Sequence, residues 1–490
     1  MPAPLDRRNF LKRAGALGGA AMMWGPLAGL SGAARGSAAP QGSLLDLAAA
    51  DSPIDTIVVL LMENRSFDHY LGWLARDGEY LEESRRRYGA KFRVDGDQTQ
   101  VFRDPKGRRV PTYHLPSKAG EDNPYRGCHH PDPGHGWESG RAQRDHGFMA
   151  EDAGNDEFAL GYFRAEDIPT YSAMVRRFTT FDRYFASLLA PTYPNRAYLH
   201  AAQSGGMKTN ELPYIDGAGF YEFETIWDRM QAASVPCRYY FVDLPTVGLW
   251  GPRMLPIASH IERYFVEAAA GRLPNVVFLD PGFTTGLRTD DHPYADIRAG
   301  QRLVYDYVKA FVESPHWERG AFLISYDEWG GFFDHVRPPR LPDLRRSKND
   351  KEDFGQAGFR VPTIMASPYA RPGFVDHRVY DHTSILRFIE WRFLGAPAEG
   401  PKGSGWFLTP RDRFAHNIGA SLLPAKPNPE FHLEPVPKVP FASAPCEGET
   451  FEGTGLPVPV EAEKHAFEQS LDAGFFERAG FDIDIKPYPL

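Results

Sequence analysis

Cysteine and long apolar stretches are scarce in this sequence of 490 residues. Its three cysteines, Cys128, Cys237 and Cys446, are too few and too scattered for a disulfide framework or a cysteine-based zinc cluster. One disulfide can form in an oxidising compartment, and the sequence leaves the pair open. After residue 39 no segment stays apolar for the roughly 18 residues of a membrane span, so we expect a mature chain that is soluble or peripheral to a membrane.

Positive charge is also in short supply. The formal net charge is −9, and removal of residues 1–39, with five basic and one acidic residue, takes it to −13. Phosphate backbones need clustered Lys and Arg, so we expect no nucleic acid as a partner. Nor does so acidic a chain favour a surface drawn broadly to anionic lipid. The sequence contains neither an internal repeat nor a GxGxxG or GxxxxGKS/T phosphate loop.

The amino terminus has the pattern of a secretory signal. Arg7 and Arg8 precede Phe-Leu-Lys, an uncharged Gly/Ala-rich segment covers residues 14–34, and small residues follow up to Ala39. The paired arginines resemble those of a twin-arginine leader. We therefore predict a signal peptide over residues 1–39, the twin-arginine export machinery as a partner, and a periplasmic or secreted product. The alternative is a membrane anchor, if this segment remains uncut.

About 450 residues remain after the leader, enough for one large α/β domain with insertions or for two domains. We predict one domain over residues 52–415, with insertions at about 76–134 and 337–359. The second insertion is rich in proline and charge and could act as a lid. Residues 416–490 are predicted to form a C-terminal extension that packs on the domain.

Two apolar runs end abruptly in oxygen-donating side chains. Ile57–Met62 is followed by Glu63 and Asn64, and the run AFLISY is followed by Asp327 and Glu328. Short apolar runs without alternation favour parallel strands that are buried on both faces. Ligands bind beyond the carboxyl ends of such strands, and a hard cation prefers oxygen ligands. Alone, either strand end could simply cap the next helix, but two in one sheet can direct four oxygen ligands into one crevice.

Thr192 lies at or just before the amino terminus of a predicted helix that covers residues 197–203, with Pro194 in its first turn. Backbone N–H groups and the helix dipole make such a position suitable for an oxyanion or a phosphate. A hydroxyl placed there can act as a nucleophile if another group removes its proton. The alternative is an ordinary N-cap threonine.

Three histidines lie in positions that suit a site. His135 follows a tight Pro-Gly turn, His292 lies in the loop Asp290–Pro293 between a predicted strand and helix, and His382 comes just before a helix. Alone, His135 could instead be a surface turn residue with no role in chemistry.

The remaining pattern alternates between strands and helices, which favours an α/β fold. The segments with this pattern are the predicted strands at 238–242, 276–279 and 361–366, and the predicted helices at 261–270, 301–312 and near 461–471.

Four motifs together resemble the phosphoesterase family of bacterial phospholipases C and some acid phosphatases, to which plant non-specific phospholipases C also belong. They are Glu63–His69 (ENRSFDH), Thr192–Arg196 (TYPNR), Asp290–Pro293 (DDHP) and Asp327–His335 (DEWGGFFDH). The resemblance extends from Glu63 to about Leu394. It implies an alkaline-phosphatase-like fold, an α/β three-layer sandwich with a mostly parallel central sheet and loop insertions.

The resemblance also implies roles for individual residues. Glu63, Asn64, Asp327 and Glu328 would hold one divalent cation, and Thr192 would be the nucleophile and a further ligand. His135 and His292 match family histidines that contact the phosphoryl group, and His382 matches another. An all-oxygen site suits Ca²⁺, Mg²⁺ or Mn²⁺ better than Zn²⁺. Asp334 and His335 could add ligands for a second metal, or orient Asp327 or close the turn.

A metal-bound Thr192 suits a two-step displacement through a phosphothreonine, with His292 or His135 protonating the leaving alkoxide. The predicted function is phospholipase C-type hydrolysis, with a phospholipid or phosphate-ester substrate and peripheral membrane contact. The alternatives are an acid phosphatase with the same site and an inactive binding protein. The TYPNR motif has the spacing of the sulfatase signature, but threonine cannot form the formylglycine that sulfatases use.

Overall fold

A mostly parallel β-sheet lies at the centre of the protein in this computed structural model. The structure describes residues 42–117, 123–128, 130–212, 219–284, 288–400, 405–427 and 474–483. The predicted signal peptide and most of the predicted C-terminal extension, including its helix near 461–471, lie outside these residues. The sheet has eight strands within the described part, in the order β12-β6-β11-β10-β1-β9-β7-β8.

Strands are numbered along the chain. They are β1 (Thr56–Met62), β2 (Val101–Arg103), β3 (Arg109–Pro111), β4 (Tyr113–His114), β5 (Gly161–Tyr162), β6 (Thr179–Phe181), β7 (Cys237–Phe241), β8 (Ala258–His260), β9 (Val276–Leu279), β10 (Gly320–Tyr326), β11 (Ile364–Ala366) and β12 (Phe374–Asp376). Strand β11 runs antiparallel to both of its neighbours, β10 and β6, and the other adjacent strands of the sheet are parallel. Two small pairs, β2–β3 and β4–β5, lie outside this sheet.

Helices are numbered in the same way. They are α1 (Phe67–Leu71), α2 (Gly78–Tyr88), α3 (Trp137–His146), α4 (Pro169–Arg177), α5 (Thr192–Ala201), α6 (Ile226–Ala232), α7 (Glu262–Ala269), α8 (Ile297–Val312), α9 (Thr383–Phe393), α10 (Pro410–Phe414) and α11 (Phe475–Arg478). Helix α9 packs with α5 and α10, and α8 packs with α4 and α7. Within the described residues, no helix combines the length and the apolarity needed to cross a bilayer.

Strand β1 lies in the interior of the sheet, and all seven of its residues are buried. It pairs in parallel with β10 along one edge and with β9 along the other, and burial of all seven residues shows that both faces are covered, which suits the uninterrupted apolar run. The register with β10 pairs Met62 with Tyr326. The next residues, Glu63 and Asp327, therefore leave the sheet side by side.

The observed elements confirm the predicted α/β class and correct some boundaries. Strand β9 has its predicted bounds, and β7 is displaced by one residue. Helix α5 begins at Thr192, in agreement with the prediction that this residue lies at or just before a helix amino terminus, and Pro194 is accommodated in its first turn. Helix α2 lies inside the predicted irregular segment 76–134. Its buried face consists of only Tyr80, Leu81 and Ser84 among charged residues, which gives a weak pattern.

The cysteines differ in state. Cys128 is disulfide-bonded and Cys237 is a free thiol, while Cys446 lies outside the described residues. Burial raises the pKa of the Cys237 thiol to about 11, so this side chain is inert at neutral pH.

Candidate functional site

The two predicted strand ends meet. The Asn64 N–H donates to Asp327 Oδ1 over 3.1 Å, and the Asp327 N–H donates to the Met62 carbonyl over 3.0 Å. Asp327 Oδ1 also accepts from the Glu328 N–H at 2.7 Å. Glu63, Asn64, Asp327 and Glu328 are all fully buried. The structure thus brings together the four oxygen-donating side chains that follow β1 and β10.

The turns after β1 and β10 interlock through unusual backbone conformations. Asn64 has φ +57°, a left-handed conformation that asparagine tolerates better than most residues. Gly330 has φ +62°, and a Cβ at this position would collide with the Asn64 carbonyl. Only glycine allows the two turns to pack this closely. Their packing fixes the direction of the Asn64 amide.

Arg196 joins the start of α5 to this carboxylate cluster. Its guanidinium lies 3.1 Å from Glu63 Oε1, 3.0 Å from Asp280 Oδ1 and 3.6 Å from Asp327 Oδ2. Residues four apart share one face of a helix, so Thr192 lies on the same face of α5 as Arg196. Thr192 therefore lies on the face of α5 from which Arg196 reaches the carboxylates, although Arg196 was not among the predicted site residues.

Asn195 holds the loop that leads into Thr192. Its Oδ1 accepts from the Leu188 N–H at 2.8 Å, and its Nδ2 donates to the Ala190 carbonyl at 2.7 Å. Thr192 is the first residue of α5 and is 2 % exposed. These bonds connect the helix to the chain on its amino-terminal side and hold the backbone that leads into Thr192.

The amino terminus of α5 offers fewer N–H groups than the sequence led us to expect. The Tyr193 N–H donates to Asn210 Oδ1 over 2.9 Å, and Pro194 has no N–H. This helix terminus is therefore less suited to bind an anion than its position in the sequence suggested.

The donor atoms of the cluster fit a cation. Both polar atoms of the Asn64 side chain and Glu328 Oε1 are buried and, among the described residues, accept or donate no hydrogen bond. Burial, together with the charge of Asp327, raises the pKa of Glu328, and burial raises that of Asp327 to about 8 beside Glu63. Buried oxygens that lack partners are costly, and a hard divalent cation satisfies them. The residues present therefore fit a metal ion.

His135 and His292 form a second group with Asp132. Ligand atoms of the three side chains all lie within 4.8 Å of one another, and all three residues are buried. The His135 Nδ1–H donates to the Pro133 carbonyl at 2.7 Å, and His292 Nε2 lies 3.5 Å from Asp132 Oδ2. A positive charge on His135 would lower the pKa of Glu63, because the two side chains are close enough to interact electrostatically. The group of Asp132, His135 and His292 therefore lies near the carboxylates. Asp132 was missed from sequence, although it lies in the same turn as His135.

His382 lies behind Asp327. Its Nε2–H donates to the Asp327 carbonyl at 2.7 Å, which leaves Nδ1 to accept from the Tyr184 hydroxyl at 3.3 Å. Burial lowers the pKa of His382 to about 4, so its imidazole is neutral. Both ring nitrogens are engaged in holding the end of β10.

The DDHP turn touches the cluster through its backbone. The Glu63 N–H donates to the Asp290 carbonyl at 2.8 Å, and Asp290 Oδ1 accepts from the His292 N–H at 3.0 Å. Burial, followed by the charge of Glu63, raises the pKa of Asp290 well above its usual range. His292 is thus fixed relative to Glu63.

Asp291 is held in a strained conformation beneath this turn. It has φ +73°, and its Oδ2 accepts from the hydroxyls of Tyr326 at 2.6 Å and Tyr70 at 3.0 Å. Arg65 donates from Nε to the Asp291 carbonyl at 2.7 Å and from Nη2 to the His292 carbonyl at 3.4 Å. These contacts offset the cost of the left-handed backbone, which is about 1–3 kcal/mol.

Asp334 and His335 belong to a separate cluster. Arg360 lies 2.9 Å from Asp334 and 3.1 Å from Asp68, and His335 Nδ1 lies 2.5 Å from Asp68. His335 Nε2 lies 3.1 Å from Asp95. The guanidinium and the imidazolium already supply the cations that these carboxylates need. The cluster joins α1 to the loop after β10, and it has the composition of a structural ion-pair network.

Comparisons with known proteins identify the family of this chain. The family model described as "Phosphoesterase family" matches residues 54–394. Non-specific phospholipase C6 of Arabidopsis thaliana is 31% identical over 399 residues, which are 74% of this chain and 71% of the relative. Phospholipase C B of Mycobacterium tuberculosis is 29% identical over 494 residues, 89% of this chain and 90% of the relative.

A solved structure of an alkaline phosphatase superfamily protein from Vibrio parahaemolyticus is also similar, with a TM-score of 0.30, 10% identity, and coverage of 58% of this chain and 77% of that one. The motifs at the carboxyl ends of β1 and β10 lie within the 54–394 match and supply a pocket of buried carboxylates beside a fixed threonine. The chain therefore belongs to the phosphoesterase family, as an enzyme that hydrolyses phosphoesters.

Proposed function

We propose that this protein is a metal-dependent phosphodiesterase of the phospholipase C type, which converts a glycerophospholipid into diacylglycerol and a phosphorylated head group. The relatives named phospholipase C, which match over 71% and 90% of their own lengths, support the substrate class. The observation that carries the chemistry is the oxygen-donor pocket against which Arg196 fixes the start of α5.

Glu63, Asn64, Asp327 and Glu328, together with the Thr192 hydroxyl, would hold one divalent cation. The cation would act as a Lewis acid toward a phosphoryl oxygen and would lower the pKa of a coordinated alcohol. With oxygen donors only, we expect Ca²⁺, Mg²⁺ or Mn²⁺ rather than Zn²⁺.

Thr192 is the proposed nucleophile. It would react as the alkoxide, because coordination lowers the pKa of its hydroxyl. Its oxygen bonds to phosphorus as the bond from phosphorus to the diacylglycerol oxygen breaks, which leaves a phosphothreonine that carries the head group. His292 protonates the departing alkoxide, and Asp132 beside it stabilises the imidazolium. Water then attacks phosphorus, the bond to Thr192 breaks, and His292 accepts the water proton. His135, which lies in the same buried group, would contact the phosphoryl oxygens.

For His382 we propose a positioning role in place of direct contact with the phosphoryl group. The engagement of Nε2 with the Asp327 carbonyl and of Nδ1 with Tyr184 supports this role. His382→Asn should weaken metal binding and leave the pH dependence of turnover unchanged. Loss of one limb of the pH–rate profile in that variant would instead indicate proton transfer by His382.

We also propose export through the twin-arginine route to the periplasm or the medium, on the basis of Arg7 and Arg8. Replacement of both arginines by lysine should retain the protein in the cytoplasm. Appearance of the double variant in the medium at the normal level would contradict this route.

Turnover by the purified enzyme tests the substrate proposal. We expect release of phosphocholine from phosphatidylcholine with a kcat/KM well above that for p-nitrophenyl phosphate, and loss of both activities in Thr192→Ala. The reverse preference would establish a phosphomonoesterase with the same site. Turnover of neither substrate, with or without added metal, would contradict the enzymatic roles proposed for these residues.

A further inference from the structure

The segment 341–348 exposes an unusual combination of side chains. Leu344 is 54 % exposed, and Arg345, Arg346 and Lys348 are exposed beside it. None of these three cations forms an ion pair with the described residues, although the whole chain has a net charge of −9. This part of the described chain therefore combines exposed positive charge with an exposed leucine, on a protein whose net charge is negative.

A second exposed apolar side chain lies across a cavity from this segment. Phe414 is 52 % exposed, and it lines the cavity together with Leu341, Pro342 and Tyr380. Single exposed hydrophobic residues are common on soluble proteins. Of the six large ones in the described part of the chain, Phe414 lines this cavity, and Leu344 follows the lining residues Leu341 and Pro342 along the chain, next to the group of cations. We call Leu344, Arg345, Arg346, Lys348 and Phe414 the docking surface.

The docking surface is rigidly attached to the helix that carries Thr192. Asp343 Oδ2 accepts from the Tyr198 hydroxyl of α5 at 2.6 Å and from Arg411 Nη2 at 3.0 Å. Arg411 also donates from Nε to the Pro342 carbonyl at 2.7 Å and lies 3.1 Å from Asp381. The segment before Leu344 is therefore held by α5 and by the helix of Phe414.

The insertion that carries Leu344 also contacts the helix that follows His135. Phe354 packs on Trp137 with ring centroids 5.0 Å apart, and Trp137 begins α3 two residues after His135. Asp350 pairs with Arg144 of α3 at 2.7 Å. The insertion that carries Leu344 thus packs against the helix that follows His135.

We infer that the docking surface binds an anionic phospholipid bilayer, with Leu344 and Phe414 entering the interface and Arg345, Arg346 and Lys348 contacting lipid phosphates. This inference rests on the proposed function, because a phospholipid substrate resides in such a surface. Charge complementarity favours this occupant over a second copy of this acidic chain. Interfacial side chains of mixed apolar and cationic type bind through buried apolar area and electrostatic attraction together.

Vesicle binding tests the inference in a Thr192→Ala background, which leaves the lipid intact. The probe is sedimentation with vesicles of phosphatidylcholine and phosphatidylglycerol, compared with pure phosphatidylcholine. Each cation at an anionic surface is worth about fivefold in affinity, so Arg345→Glu with Arg346→Glu should weaken binding by at least about 25-fold. Leu344→Ser with Phe414→Ser should weaken it by roughly tenfold or more.

Matched controls lie elsewhere on the protein. Val266 on α7 is 59 % exposed, and Arg272 is exposed after that helix. Val266→Ser and Arg272→Glu should bind vesicles as the parent does. Binding by the parent should fall with added salt and with loss of phosphatidylglycerol. The inference would be overturned if both docking variants bound vesicles as the parent does, or if the controls lost as much binding as the docking variants. It would also be overturned if the parent self-associated and the docking variants abolished that self-association.

A soluble substrate separates this inference from the proposed function. With Thr192 restored, the docking variants should hydrolyse monomeric p-nitrophenyl phosphorylcholine at the normal rate and lose turnover only on vesicles. If the wild-type enzyme hydrolyses neither this diester nor phospholipid, while the variants still change vesicle binding, then the proposed function is wrong and the docking surface stands. Normal hydrolysis with unchanged vesicle binding would overturn the docking surface and support the proposed function.

Discussion

At the residue scale, the candidate site depends on two side chains with left-handed backbones. Asn64 and Asp291 have φ of +57° and +73°, and each lies beside a group assigned to chemistry. Such conformations persist where surrounding contacts over-determine them, and they are frequent at active sites. Here the strained turns place an amide at the end of β1 and place His292 beside Asp132.

The first residue-scale prediction concerns the nucleophile. Thr192→Ala should lower kcat by at least about 10³-fold, because no hydroxyl remains to attack phosphorus. Thr192→Ser should retain substantial turnover, since serine supplies the same hydroxyl. Steady-state kinetics on a soluble diester measure both effects. Near-normal turnover in Thr192→Ala with metal bound would exclude the covalent mechanism.

A second prediction concerns the support of Asp291. Tyr326→Phe removes a hydroxyl that donates to Asp291 Oδ2 at 2.6 Å and should destabilise the fold by about 1–3 kcal/mol. It should also lower kcat with little change in KM, because His292 loses its fixed direction.

Tyr171→Phe provides the control, since the Tyr171 hydroxyl lies 2.6 Å from that of Tyr326 and reaches Asp291 only through it. This variant should lose stability and keep its kcat. Equal kcat values in the two variants would show that the tyrosines serve stability alone.

At the element scale, the site is assembled from the ends of β1, β10 and α5. The parallel register of β1 with β10 sets Glu63 beside Asp327, and Arg196 draws the first turns of α5 against both. Removal of one partner from a buried ion pair costs about 3–5 kcal/mol, so Arg196 stabilises the junction of helix and sheet.

The ion-pair network between α1 and the loop after β10 predicts a pH dependence of stability. Burial lowers the pKa of His335, but hydrogen bonds to Asp68 and Asp95 outweigh burial and raise it to about 10, above the ordinary value of 6.5. A raised pKa in the folded state means that the stabilisation is complete below pH 6.5 and is lost as the pH rises through about 10.

Urea unfolding from pH 6 to above pH 10 measures this effect. The free energy of unfolding of the wild type should fall more steeply toward pH 10 than that of His335→Gln, which cannot titrate. The comparison removes contributions from lysines and tyrosines, which both proteins share. Parallel pH profiles for the two proteins would count against a protonated His335.

At the scale of the whole molecule, the buried carboxylates link metal binding to stability. Chelation and dialysis should abolish turnover and lower the melting temperature, and Ca²⁺, Mg²⁺ or Mn²⁺ should restore both. At a metal concentration 100-fold above Kd the stabilisation is about 2.7 kcal/mol. Calorimetry and elemental analysis measure the two effects. In the Glu328→Gln variant, the chelator should change the melting temperature much less than in the wild type. Full activity of the chelated wild type would refute a metal requirement.

The local sequence pattern was sufficient to predict the two strands that precede the site and to identify the donor side chains that follow them. The apolar runs before Glu63 and Asp327 predicted buried strands, and both are observed. The pattern failed where a contact joins distant segments. Nothing near His382 in the sequence shows that its Nε2 donates to the Asp327 carbonyl, and nothing near Asp132 shows that it faces His292.

The sequence by itself determined which side chains follow buried strands and which chemistry they can perform, because strand burial and donor type are properties of a few consecutive residues. Tertiary structure decided which of those side chains meet. Asn64 and Asp327 are 263 residues apart, and Glu63 and Arg196 are 133 apart. Such pairs form only when β1, β10 and α5 pack in one register, and that register depends on the whole core.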